Sequence, residues 1–166
     1  MDTVLRPATA ADFAAIHAIN EDAAPAVSNI TMSELHDLAT MCCDFSVVAA
    51  DGQIAGFMMA MRQGQPYESS NYLWFVEHYE KFVYVDRIAV SPAFKGRGIG
   101  RLLYANIEGF ARKVATVLTC EVNVKPRNEE SLVFHTKLGF VEVGQQDTEA
   151  GKKRVSLLVK MLPGDL

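Results

Sequence analysis

Lys95, Gly96, Arg97, Gly98, Ile99, Gly100 and Arg101 stand together in the stretch AFKGRGIGRLL. Glycines at alternate positions let a backbone approach a ligand closely, and three cations surround them. An apolar helical pattern begins as the stretch ends. The first N–H groups of a helix have no intrahelical acceptor, and the helix dipole favours negative charge at that end. The chemistry on offer is the binding of a compact anion, and a pyrophosphate suits it. Two other phosphate solutions do not fit. No Lys-Ser/Thr pair follows the glycines, as a GxxxxGK[ST] loop requires. The spacing is GxGxG and lies mid-chain, whereas a dinucleotide site needs GxGxxG after its first strand. Glu121 falls near the distance of that site's acidic partner, but the order of elements differs.

The elements that must position this stretch are legible around it. TVLRPAT predicts a first strand, and TAADFAAIHAINEDA a helix with Thr9 at its N-cap and Phe13, Ile16 and Ile19 near helical spacing. APAVSNI breaks it, and TMSELHDLATMC predicts a second, shorter helix. DFSVVAADGQIAGFMMAMR predicts a hairpin turning at Asp51-Gly52. FVYVDRIAV reads as a buried central strand leading into the glycines, and GRLLYANIEGFARKVA as a helix with the stripe Leu103, Ile107, Phe110 and Val114. TVLTCEVNV follows as a strand, so the two strands flanking this helix should run parallel with a right-handed crossover. NEESLVFHTKLGF predicts a helix capped by Asn128 and closed by Gly139. FVEVGQQ and KRVSLLVKML predict a closing hairpin. Residues 62–81 hold Tyr67, Tyr72, Trp74, Phe75 and Tyr79, and read equally as a substrate lid or as a short helix covering the sheet edge.

The 166 residues fit one domain, 1–166, and 49% of them are apolar, enough for a sizeable core. The 16 basic and 20 acidic residues give a net charge of −4, which argues against nucleic acid or a membrane surface as partner. Three cysteines, Cys42, Cys43 and Cys120, suit reduced thiols in a cytoplasmic protein. No CxxC or HxxxH spacing suggests a metal. No leader pattern opens the chain, and no apolar run approaches the roughly 18 residues of a membrane helix.

VDRIAVSPAFKGRGIGRLLY resembles motif A of the GNAT acetyltransferase superfamily, whose core is [RQ]xxGx[GA]; Lys95, Gly98 and Gly100 take its fixed positions, with Lys95 in place of Arg or Gln. NEESLVFHTKLGFVEVG resembles motif B, which ends in Y-x-x-x-G-F. The resemblance follows the element order along nearly the whole chain, is sharpest from Val83 to Val143, and suits an uncharacterised bacterial branch. It implies an α/β fold with a mixed, twisted sheet of about seven strands and about four helices, two central parallel strands splaying apart.

The resemblance also implies a cofactor and roles. Acetyl-CoA would lie between the two splayed strands and leave as coenzyme A. Ile88, Ala89 and Val90 would offer backbone groups to its arm, and the amides from Gly96 to Arg101, Ile99 included, would hold the pyrophosphate. Asn128 matches a residue that contacts the arm, besides serving as an N-cap. The reaction implied is acetyl transfer to the amine of a small molecule or a protein. The amine must lose a proton, for which Asp86 and Glu121 are the candidate bases, unless they serve as ion-pair partners. A backbone N–H near Ile88 or Val90 could stabilise the oxyanion. The family's acid is often a Tyr in motif B, and His135 stands there instead. An unperturbed His is mostly neutral at pH 7, so His135 would donate only if a neighbour raised its pKa. Otherwise it binds coenzyme A or packs. Acceptor specificity would come from the segment after the first helix and from residues 62–81. An acyl-CoA-binding module without turnover, and a protein binding other phosphates, are the alternatives. The C-terminal hairpin offers an edge through which a homodimer could form.

Overall fold

The computed structural model describes residues 2–163. Among them lie seven strands and five α-helices: β1 (Thr3–Pro7), α1 (Phe13–Asp22), α2 (Met32–Met41), β2 (Asp44–Ala50), β3 (Gln53–Arg62), α3 (Ser70–His78), β4 (Phe82–Val90), α4 (Ile99–Val114), β5 (Val117–Lys125), α5 (Glu129–Leu138), β6 (Val141–Thr148) and β7 (Lys153–Met161). The strands form one mixed sheet in the order β1-β2-β3-β4-β5-β7-β6. β4 and β5 run parallel, with Phe82 opposite Val117 and Tyr84 opposite Thr119. This is the α/β arrangement that motifs A and B imply. The helix count is five rather than about four, because residues 62–81 contain a helix, α3. No described helix is long and apolar enough to cross a membrane.

The chain divides into two compact units. The first runs to Met61 and takes in Val85–Gly109; the second takes in Arg62–Tyr84 and continues from Phe110.

In the first unit the β2–β3 hairpin turns at Asp51 and Gly52 with φ of 51° and 77°. A two-residue hairpin turn that matches strand twist needs positive φ at both positions, which Asp-Gly tolerates. Val48 pairs with Gly56 and Ala49 with Ile54, so Ala55 is an extra, bulged residue. The first helix differs in detail from the expectation. Ala10–Asp12 form a 3₁₀ turn, and α1 starts at Phe13. Thr9 caps that turn through Asp12, whose Oδ2 accepts the Thr9 N–H at 2.8 Å and also meets Arg6 Nη1 at 2.7 Å. The Arg6 guanidinium holds the Asp12 carboxyl well below the usual carboxylate range, against the cost of burial. α2 opens with a reciprocal box in which Glu34 N–H donates to Thr31 Oγ1 at 3.0 Å and Thr31 N–H to Glu34 Oε1 at 3.1 Å. The stripe of α4 is also rotated from the expected one: Leu103, Tyr104, Ile107 and Ala111 are buried, while Phe110 and Val114 are half-buried.

In the second unit β5 pairs antiparallel with β7 along its length, and β7 with β6. Tyr72 and Phe75 of α3 are 1% and 0% exposed and pack on Phe82 and Tyr84. Burying each ring contributes about 2 kcal/mol, which binds α3 into the core. α3 also lies on β6: a Cβ at Gly144 would stand 2.9 Å from the Trp74 ring, and Gln146 Nε2 donates to Asn71 Oδ1 at 2.8 Å.

Candidate active site

The glycine stretch belongs to the first unit. After β4 the chain makes a 3₁₀ turn at Pro92–Phe94 and enters α4 through Gly96 and Gly98, with φ of 77° and 78°. That left-handed backbone is what selects glycine at these two positions, since a Cβ at either would meet nothing within 4 Å. The Leu102 N–H donates to Gly98 O at 3.1 Å, the first bond of the α4 ladder. The amides of Ile99, Gly100 and Arg101 therefore occupy the first turn, where a helix supplies no acceptor. Lys95, Arg97 and Arg101 are exposed beside them, and the Arg97 guanidinium lies 5.2 Å from the centre of the Phe94 ring. Ile99 points the other way and is 1% exposed, so its contribution to an anion is its backbone alone. Positive charge, first-turn amides and open space in front of the loop fit a pyrophosphate.

What brings this helix start to the end of β4 is Gly56. A Cβ there would stand 2.9 Å from both Ala89 O and Ile99 Cγ2. The Ser91 N–H donates to O of the bulged Ala55 at 2.7 Å. Ile88, Ala89 and Val90 are thus set close to the first residue of α4. Gly56 escaped the sequence reading, although a glycine within a strand pattern is the usual sign of a close backbone approach.

Asp86 is ion-paired: Arg87 Nε donates to its Oδ2 at 2.8 Å, and its side chain is 3% exposed. Cys42 lies near it, and burial foremost, then the Asp86 charge, pushes the Cys42 thiol up to about 12. A carboxylate committed to a neighbouring guanidinium and shut from solvent is poorly suited to collecting a proton from an incoming amine.

Glu121, Asn128 and His135 belong to the second unit. Tyr84, 1% exposed, stands on β4 opposite Thr119, and Glu121 lies two residues further along β5 on the same face. The Tyr84 hydroxyl reaches both Glu121 oxygens, at 2.9 and 2.8 Å, and donates its proton between them. Glu121 is half-buried, so one carboxylate combines a fixed orientation with access. On α5 a single serine links the other two residues. Ser131 N–H donates to Asn128 Oδ1 at 3.2 Å, and His135 Nδ1 donates to Ser131 O at 2.7 Å, with Ser131 Oγ at 3.2 Å. Asn128 is thus the N-cap of α5, and Gly139 ends the helix with φ of 99°. His135 is 3% exposed, between Phe134 and Phe140. Burial lowers its pKa, against the smaller opposing effect of the Ser131 carbonyl. Its imidazole is therefore neutral at pH 7, with the proton on Nδ1 directed at Ser131. Ser131 also went unmarked in the sequence reading; its place three residues after Asn128 and four before His135 was the available signal.

The profile of the acetyltransferase (GNAT) family matches residues 13–140, and the chain belongs to that family. Among solved structures it is similar to NAA60 of Arabidopsis thaliana in complex with a bisubstrate analogue, at 14% identity and a TM-score of 0.78 over 99% of this chain and 100% of that one. Ard1 of Thermoplasma volcanium is 18% identical, with a TM-score of 0.77 over 98% and 99% of the two chains. The yncA protein of Salmonella typhimurium, solved with its cofactor acetyl-CoA, is 19% identical with a TM-score of 0.73 over 100% and 97%. At such identities the similarity is one of fold. An uncharacterised protein of Mycobacterium leprae is 37% identical over 68 residues, which make up 40% of this chain and 18% of that protein.

Proposed function

We propose that this protein transfers an acetyl group from acetyl-CoA to an amine, of a small molecule or of a protein, in the cytoplasm. The observation that carries the reading is the start of α4: left-handed glycines, first-turn amides and three exposed cations next to Ile88–Val90. The family membership and the acetyl-CoA held by yncA support it. Gly96 to Arg101 hold the pyrophosphate by their amides, with Lys95, Arg97 and Arg101 adding charge. Backbone groups of Ile88, Ala89 and Val90 hold the arm and polarise the acyl oxygen. When bound, acetyl-CoA supplies an activated thioester carbonyl.

Glu121 is the general base. Tyr84 keeps its carboxylate aimed, and Glu121 takes the proton that an ammonium must lose before its nitrogen can attack. The neutral His135 has no spare proton at pH 7, so it would not serve as the acid for a departing thiolate. His135 instead orders α5 beneath Asn128, through Ser131. That neutrality also favours a second reading, an acyl-CoA-binding module without turnover.

Calorimetric titration with acetyl-CoA, coenzyme A and ATP, followed by a screen of amines for release of the coenzyme A thiol, tests both readings. Binding of the two coenzyme A species but not ATP, with thiol release in the presence of an amine, is the expected result. Binding with no turnover on any amine leaves the module. Absence of binding removes both.

A further inference from the structure

Tyr84 aims Glu121, and the ring that carries its hydroxyl has to be held in turn. The hydroxyl oxygen lies on the ring axis, so spinning the ring about that axis leaves it in place. Leaning the ring about the Cα–Cβ bond moves it. That torsion has several staggered wells, and packing decides which one is occupied. In the second unit the packing comes from α3. The Tyr72 ring meets the Tyr84 ring edge-on, with 5.5 Å between centroids and 67° between planes. Phe75, three residues later, lies 5.8 Å from it at 43°. Both also meet Phe82, at 5.7 and 6.4 Å, which shares the β4 face of Tyr84. The helix is itself pinned to the strands. The Tyr72 hydroxyl donates to Arg62 O at 2.7 Å and accepts from the Gln65 N–H at 3.0 Å, and Gln63 Oε1 accepts the Phe82 N–H at 3.1 Å. On β5, Thr119 Oγ1 donates to Val83 O at 3.2 Å, which ties the strand pair together beside Tyr84. Phe75 is 0% exposed and its side chain has no polar atom, so its whole contribution to this cluster is shape.

We propose that Phe75 is a positioning residue for the proton-accepting step: with Tyr72 it stops the Tyr84 ring from leaning, and so keeps the phenol proton on the two Glu121 oxygens. Phe75 touches no reacting atom and acts through Tyr84. α3 thereby bears on the base from within the core. The consequence for catalysis rests on the acetyl-transfer reading with Glu121 as base; the aiming of Tyr84 does not.

Phe75→Leu leaves a gap beside the Tyr84 ring, and Phe75→Met fills more of it with a flexible chain. Two readouts on the full chain separate the claims. The first is the Tyr84 hydroxyl proton by NMR, a downfield line identified by its absence from Tyr84→Phe. A phenol held by a carboxylate away from water exchanges slowly, so wild type should show the line and Phe75→Leu should lose it to exchange. Its absence from wild type, or its persistence unchanged in both Phe75 variants, would overturn the aiming. The second readout is initial rates with acetyl-CoA and short peptides bearing free α-amino groups or primary alkylamines, measured as thiol release. In Phe75→Leu kcat should fall about tenfold, and no further than in Tyr84→Phe, with the acetyl-CoA KM unchanged. In Phe75→Met the fall should be smaller. In a Tyr84→Phe background the same substitutions should leave kcat where Tyr84→Phe put it, because the group they act through is gone. A further fall there would mean a general loosening of the core and would overturn the proposal, as would wild-type kcat in both variants. Phe75→Met decides the matter if Phe75→Leu does not fold. A wild-type protein that acetylates none of these amines would remove the role in catalysis, and the hydroxyl proton would still judge the aiming of Tyr84.

Discussion

Tyr84 and Glu121 illustrate how much one hydrogen bond decides at the scale of a residue. Glu121→Gln keeps the shape and loses the basicity. It should lower kcat by about 10²–10⁴-fold, the usual worth of a positioned general base, with coenzyme A affinity by calorimetry unchanged. Tyr84→Phe keeps the ring packing on Tyr72 and Phe75 and removes only the donor, so it should cost about 1 kcal/mol of stability and a smaller part of kcat. Equal rates in wild type and Glu121→Gln would move the base elsewhere. His135 leads to a prediction about pH. Its folded pKa lies below its ordinary 6.5, so between the two values the unfolded chain binds more protons than the folded one. Stability from this residue is fully present above pH 6.5 and is lost as the pH falls through that window toward the folded value. His135→Phe should flatten that loss. Urea midpoints at pH 7.5 and pH 5 measure it, and parallel slopes for the two proteins would contradict it.

At the scale of the element, two glycines make opposite demands. Gly98 is chosen by its φ of 78° alone, with open space where a side chain would go. Gly98→Val should fold, at a cost of about 1–2 kcal/mol, and lose coenzyme A binding because the first-turn amides no longer point at the anion. Gly56 is chosen by crowding, with Ala89 O and Ile99 Cγ2 each 2.9 Å from its Cβ position. Gly56→Val should cost more, about 1–3 kcal/mol or above, and weaken binding too, because it pushes α4 off the strand. Thermal melts and titration of the two variants separate the cases. If Gly98→Val binds coenzyme A like wild type, the anion assignment fails. α3 shows the same contrast in a helix: its aromatic residues, which suggested a lid as readily as a cover, put Tyr72 and Phe75 into the core.

At the scale of the whole molecule, a ligand that binds only the native chain raises its melting temperature by mass action. At a hundred times Kd this amounts to about 2.7 kcal/mol, or roughly 5–10 °C for a chain of this size. Acetyl-CoA and coenzyme A should give such a shift and ATP should not. A net charge of −4 bears on the same experiment. An acidic chain has no general attraction for polyanions, so a shift with the coenzymes alone reports the local cluster of Lys95, Arg97 and Arg101 rather than bulk charge.

The element order, the hairpin at Asp51-Gly52, the caps at Asn128 and Gly139 and the glycine loop before α4 were determined by the sequence alone. They rest on local rules: side-chain period, left-handed glycine and the free amides of a helix start. Tertiary structure alone decided which carboxylate is paired with a cation and which is held by a phenol. Asp86 has Arg87 as its neighbour in sequence, but only the folded packing turns that guanidinium onto it, and only strand pairing brings the Tyr84 hydroxyl to Glu121. It also decided that His135 is buried and neutral, and that Gly56 lets α4 reach β4. The Tyr84–Glu121 contact and the close approach at Gly56 join residues distant along the chain, and no local pattern encodes them.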